Sequence, residues 1–289
     1  MRLATLAPLL FVLLWSTGFV GAKLGLPYAE PFTFLWVRMV LVVGLLTALA
    51  WLLRAPWPQG WALRLHLGVS GLLLHAGYLG GVFFAISRGM PAGLSALIVG
   101  LQPILTAVLA QLLLRERVNA VQWAGLLLGL VGVGLVVGEK ALSARILHIE
   151  PSAFVAISLA LLCTTLGTLY HKRFASQMPL VGGTVVQYVA ASAGLFVLAL
   201  LFGETMQIRW TPQFVFALTW LVLVLSIGAI LLLMYLIRHN SASSVASLFY
   251  LVPPATALEA YFLFGERLGG WAILGMGLAV VGVALVVRR

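Results

Sequence analysis

Apolar runs of 17 to 25 residues recur along the whole chain, separated by short breaks that carry proline, glycine or charge. A run of that length is what an α-helix needs to cross about 30 Å of hydrocarbon. A lipid-exposed β-barrel would instead read as segments of about ten residues with alternating hydrophobicity, and no such alternation is present. Composition agrees: charged residues are 8% of the chain and mean hydropathy is +1.13, too little charge to cover the surface of a soluble domain. The expected fold class is an all-α polytopic membrane protein.

Ten spans are expected, at 4–24, 31–53, 63–87, 91–114, 119–138, 152–171, 180–203, 213–237, 242–264 and 269–287. Pro27 and Pro31 flank the first turn, and Pro56 and Pro58 lie in the second. Pro91, Pro151, Pro179 and Pro212 stand at or near helix starts, where a missing N–H costs nothing. No linker could house a soluble domain. The first span has features of a secretory signal, with Arg2 before an apolar stretch and Val20-Gly21-Ala22 after it. Its counterpart in the second half of the chain makes it a retained helix.

The formal charge of +10 does not mark a nucleic-acid binder, because the basic residues sit singly or in pairs between apolar runs. With a cytoplasmic N-terminus, the inner loops carry ten Lys and Arg and the outer loops six, Arg38 being intramembrane. That bias places both termini in the cytoplasm. The one cysteine, Cys163, excludes an intrachain disulfide. All seven acids are Glu, which removes Asp-based metal, phosphoryl-transfer and protease chemistry. The five histidines lie on different segments without metal-ligand spacing, and no hydrolase or nucleotide motif occurs. No enzyme, metal or cofactor is expected.

Sliding the chain by 150 residues aligns 92–137 with 242–287 without a gap, with 18 identities in 46 positions. Composition alone would give roughly four or five. Pro103 meets Pro253, Glu116-Arg117 meets Glu266-Arg267, and Gly132 meets Gly282; a shift of 149 brings Lys23 to Lys172. Five spans is an odd number, so two such halves lie in opposite orientations, an arrangement typical of alternating-access transporters. The expected units are a first five-helix repeat at 1–140 and a second at 151–289.

Trp15-Ser16-Thr17-Gly18-Phe19 followed by Lys23, and Arg38 in the second span, resemble the first-repeat pattern of EamA-type members of the drug/metabolite transporter superfamily. Pro103, Glu116-Arg117, Gly125 and Gly132 resemble its helix 4–5 pattern, which Pro253, Glu266-Arg267, Gly275 and Gly282 repeat. The resemblance covers essentially the whole chain and implies ten helices, cytoplasmic termini and export of amino acids, other metabolites or toxic compounds. It departs in the sixth and seventh spans, where Trp15 has no counterpart and Gln187 stands opposite Arg38.

Polar side chains deep in a span belong against a cavity or another helix. Helical spacing groups Gly71, His75 and Tyr78; Ser95, Gln102 and Thr106; Thr164, Thr168 and His171; Thr184, Gln187, Tyr188 and Ala191; and Ser243, Ser247, Tyr250 and Pro254. The candidate substrate-binding residues are His75, Tyr78, Ser95, Gln102, Thr164, Thr168, Gln187, Tyr188, Ser247 and Tyr250, with Trp15 and Ser16 from the family-like pattern. For any one Ser or Thr, a bond to its own helix is the competing role. Glu259 is a candidate for proton coupling or for pairing with a substrate amine or Arg267. Arg38 is a candidate for a substrate carboxylate or for pairing with Glu30 or Glu259.

Pro103, Pro253 and Pro254 fall mid-span and break the backbone ladder, which makes them candidate gates. Gly125, Gly129, Gly132 and Gly275, Ala279, Gly282 form small-residue stripes suited to helix packing. The expected function is secondary or facilitative export of a small metabolite by alternating access, in a bacterial inner membrane. A lipid flippase or a channel-like permease is the alternative. Partners are the solute and the surrounding lipid, with a homodimer left open.

Overall fold

The computed structural model describes residues 3–90, 92–141, 149–264 and 269–287. Among them the chain is helical throughout, its sole β-bridge joining Ala29 to Ile208. In hydrocarbon every backbone N–H and C=O must bond within its own segment, and the helix achieves this locally.

The helices run α1 (Leu3–Gly25), α2 (Pro31–Leu52), α3 (Trp61–Gly71), α4 (Tyr78–Ser87), α5 (Ala92–Val99), α6 (Gln102–Leu113) and α7 (Ala120–Ala141), then α8 (Pro151–Phe174), α9 (Leu180–Leu201), α10 (Pro212–Trp220), α11 (Ile230–His239), α12 (Ala242–Ser247), α13 (Val252–Phe264) and α14 (Gly270–Val287). Among the described residues, six helices or continuous helical runs are long and apolar enough to cross a membrane: Pro31–Leu52, Trp61–Ser87, Pro151–Phe174, Leu180–Leu201, Pro212–His239 and Gly270–Val287. Shorter apolar helices cover Leu6–Gly18, Gln102–Leu113, Ala120–Val136 and Ala242–Ala255.

Two runs depart from regular α-helix in the same way. Leu72–Gly77 joins α3 to α4 as a π-helix, and Leu221–Ala229 joins α10 to α11 likewise. A π turn adds a residue to the helical period and rotates everything beyond it, and such turns are frequent at functional sites. The regular spacing expected for Gly71, His75 and Tyr78 is therefore broken, because His75 lies inside the π segment and Tyr78 beyond it.

The mid-span prolines sit where the regular helix is interrupted. The helical run stops at Gly100–Leu101 and α6 restarts with Pro103 in its first turn, where a proline removes no bond. Pro253 and Pro254 open α13 after a 3₁₀ turn at Leu248–Leu251.

Ends and contacts repeat between the halves. After α2, Arg54 takes φ +48° and Ala55 N–H returns to Ala50 O at 2.8 Å; after α9, Gly203 takes φ +68° and Glu204 N–H returns to Ala199 O at 2.9 Å. Both are left-handed C-terminal caps of the same build. The α2 helix packs on α9 and α7 on α14. In the second pair, a Cβ on Gly125 would lie 2.6 Å from Gly282 O, and one on Gly132 2.6 Å from Gly275 O. The small-residue stripes let these two backbones touch.

Carboxylates tie the loop ends together. Glu204 accepts from Phe32 N, Thr33 N and Thr33 Oγ1 at 2.9, 2.6 and 2.6 Å, closing the first turn of α2. Glu30 accepts from Thr205 N and Oγ1 at 2.7 and 3.0 Å. Glu116 accepts from Ala242 N at 2.9 Å and Ser243 Oγ at 3.3 Å, at the start of α12. Each satisfies helix or loop donors that have no intrahelical partner. Glu266 and Arg267 lie outside the described residues.

Candidate functional site

The site begins with one face of α1. Trp15, Gly18 and Ala22 recur at helical spacing and line a partly open cavity. Arg38 of α2, Tyr78 and Val82 of α4, Leu225 of the second π-helix and Ile230 of α11 complete much of its wall. The cavity thus lies where α1, α2 and α4 meet the π segment before α11. Gly18 keeps α1 close: a Cβ there would meet the Leu225 side chain at 2.5 Å.

Aromatic rings fix the wall. Trp15 and Tyr78 stack within 8° of parallel, with centroids 6.5 Å apart. Phe249 and Phe11 pack on Trp15 at 5.4 and 5.2 Å. Such edge and face contacts add to burial and hold ring orientation.

Arg38 is the charge in this wall. It is 2% exposed, and its Nε donates to Ser226 Oγ at 2.8 Å. The expected pairing with Glu30 or Glu259 is not formed; among the described residues no carboxylate lies within ion-pair distance of Arg38. Glu30 is taken by Thr205 and Glu259 by Ser16, whose Oγ donates to Glu259 Oε1 at 2.5 Å. A cation at the centre of a membrane helix costs roughly 2.5–3.5 kcal/mol on insertion scales, so a neutral hydroxyl is modest compensation.

Ser226 joins Arg38 to a second group of candidates. Tyr188 Oη donates to Ser226 O at 3.0 Å, and the Tyr188 ring stacks on His75 at 4.5 Å and 8°. Both His75 ring nitrogens are buried without a partner. Deeper along α9, Gln187 Nε2 donates to Ser70 Oγ at 2.9 Å and lies 3.1 Å from His171 Nδ1, itself 3.0 Å from Ser70 Oγ. Arg38 of the first half therefore reaches a serine of the second, and Gln187 of the second half reaches a serine of the first.

Other predicted residues stand elsewhere. Thr168 Oγ1 donates to Thr164 O and Ser247 Oγ to Ser244 O, so both hydroxyls are engaged by their own helices. Ser95 and Thr164 are buried. Gln102 is fully buried with neither amide atom partnered, and Thr106 one turn on also lacks a partner. Tyr250 packs its ring against Gly129 of α7, its hydroxyl unpartnered. The five polar faces are thus distributed over several interfaces, and of them only Tyr78 joins Trp15 and Arg38 in the cavity wall described above. Ser70, Ser226 and Phe249 were not among the sequence candidates. The signal for Ser226 was present, as a lone hydroxyl in the apolar run Leu221–Ile230.

Among the described residues no group of three or more potential metal ligands assembles. The cavity wall offers one cation, the Trp15 and Tyr78 side chains and otherwise apolar residues.

Residues 2–138 and 151–288 each match the model of the EamA-like transporter family. The chain belongs to the EamA-like transporter family. It is an integral membrane transporter, and its family is one of transporters and not of enzymes. A probable amino-acid metabolite efflux pump of Salmonella typhimurium is 29% identical over 285 residues, covering 95% of this chain and 91% of that protein. The uncharacterized inner membrane transporter YedA of Escherichia coli K12 is 28% identical over 291 residues, covering 99% and 92%. A solved crystal structure superposes with a TM-score of 0.79 at 21% identity, covering 98% of this chain and 96% of the other, and so shares the fold.

Proposed function

We propose that this EamA-family protein is a secondary or facilitative exporter of small metabolites such as amino acids, working by alternating access. It does so with ten membrane-crossing helices arranged as two inverted five-helix repeats, residues 1–140 and 151–289, with both termini in the cytoplasm of a bacterial inner membrane. The observation that carries this reading is the cavity whose wall combines Trp15, Arg38 and Tyr78 of the first half with Leu225 and Ile230 of the second. A site between halves is what rocking of one repeat against the other exposes to each side in turn.

Three further features support it. The family model matches twice, once in each half. The Gly125–Gly282 and Gly132–Gly275 contacts are reciprocal across the 150-residue offset, as a two-fold axis between repeats requires. The helix break before Pro103 and the 3₁₀ turn before Pro253–Pro254 fall at equivalent places, which suits a pair of gates. The relative from Salmonella bears the name of an amino-acid metabolite efflux pump, which favours export of that class here.

Flux of labelled amino acids, sugars, nucleobases and cationic dyes through proteoliposomes, with and without a pH gradient, tests the proposal. Saturable flux of one class is expected. Flux that rises linearly without saturation would replace the carrier with a channel, and movement of labelled lipid alone would replace it with a flippase.

A further inference from the structure

We infer that Arg38 is the anchor of a carboxylate-binding subsite, so that the cavity selects small organic anions with an apolar or aromatic body. This rests on the transporter reading and names the substrate class of the same site.

The inference follows from what surrounds the guanidinium. Arginine offers five N–H donors in a planar fork that matches the two oxygens of a carboxylate. One of them, on Nε, is used by Ser226 Oγ at 2.8 Å. That bond engages Nε alone, and Arg38 itself lines the cavity. The acids that could have neutralised it are committed elsewhere: Glu30 to Thr205, Glu204 to Phe32 and Thr33, Glu259 to Ser16. The described wall therefore carries one positive charge and no negative one. A buried, oriented and uncompensated cation is satisfied by an anion that arrives from outside.

The rest of the wall sets the body of that anion. Trp15 and Tyr78 contribute aromatic side chains, and Val82, Leu225 and Ile230 apolar ones. No described carboxylate in the wall stands ready for an amine, so the free acid, and not a cation of the same shape, is the preferred form.

Phenylacetate and phenylacetamide share a body and differ in charge, so their binding to the purified full-length protein, measured by calorimetry, tests the subsite. The acid is expected to bind at least about tenfold more tightly than the amide, the lower end of what a charge-assisted pair gives. Arg38→Gln should bring the two affinities together, and Arg38→Met should do the same where the Gln variant fails to fold. Equal affinities in the unaltered protein, or no acid binding at millimolar concentration, overturn the inference. So does an unchanged ratio in either folded variant. Counterflow in proteoliposomes separates this from the transporter reading. Saturable flux without acid preference keeps the carrier and removes the anion subsite. Acid binding without flux of any solute does the reverse.

Discussion

Ser16 Oγ donates to Glu259 Oε1 at 2.5 Å, which ties α1 to α13 across 243 positions of sequence. The second oxygen, Oε2, is buried with no partner. Glu259 is thus held beside the segment that carries Trp15, with one oxygen free to take a proton. If a proton is the coupling ion, Glu259→Gln keeps the shape and the bond from Ser16 and removes the titration. Transport by this variant should be indifferent to a pH gradient. Gradient-driven accumulation that persists in Glu259→Gln would take the coupling role away from this carboxylate.

His75 combines a stacked ring with two buried, unpartnered nitrogens. His75→Phe preserves the stack on Tyr188 and removes the orphaned polar atoms, which costs nothing in stability and can gain about 1 kcal/mol. Transport should fall severalfold while thermal stability in detergent holds or rises. Full transport in the Phe variant would restrict His75 to packing. Gln102→Ala is expected to lower transport in the same way, with unchanged membrane expression.

The α7–α14 contact gives a sharp steric test. Gly125→Val places a side chain where Gly282 O already stands at 2.6 Å from a Cβ, so the helices must separate. A loss of about 1–3 kcal/mol is expected from such overpacking. Gly134 on the same helix has nothing within 4 Å of its Cβ position, and Gly134→Val should cost little beyond helix propensity. Comparable melting temperatures for the two variants would contradict the close approach.

Glu204 bonds the first turn of α2 from the opposite half of the chain. Glu204→Ala should lower stability by about 1–2 kcal/mol, the range for losing a helix N-terminal acceptor. A thermal melt of the purified protein reads this directly, and an unshifted melt would mean that water replaces the carboxylate.

Much of the architecture was legible because the bilayer makes it local. An apolar run of sufficient length has one way to satisfy its backbone, so the helical character of the chain follows from hydropathy and length. The glycine stripes at Gly125 and Gly132, and at Gly275 and Gly282, marked both helices as suited to close packing, and the structure packs them on each other. Side-chain partners were not legible. Arg38 is a candidate in the sequence for a substrate carboxylate or for pairing with Glu30 or Glu259, and the bond it makes is to Ser226, 188 positions away. Helical spacing placed His75 and Tyr78 on one face. The π segment Leu72–Gly77 turns them apart, His75 toward Tyr188 on α9 and Tyr78 toward Trp15 on α1.

By itself, then, the sequence determined an all-helical membrane protein, the 150-residue internal repeat and the set of polar residues that must hide from lipid. Each of these depends on the residue and its near neighbours in one helix. The tertiary structure alone decided that Glu30 and Glu204 serve loop and helix ends, that Glu259 takes Ser16, and that Arg38 is left facing a cavity between Trp15 and Tyr78. Those outcomes depend on how each helix is rotated against its neighbours, and one extra residue in a π turn is enough to change that rotation.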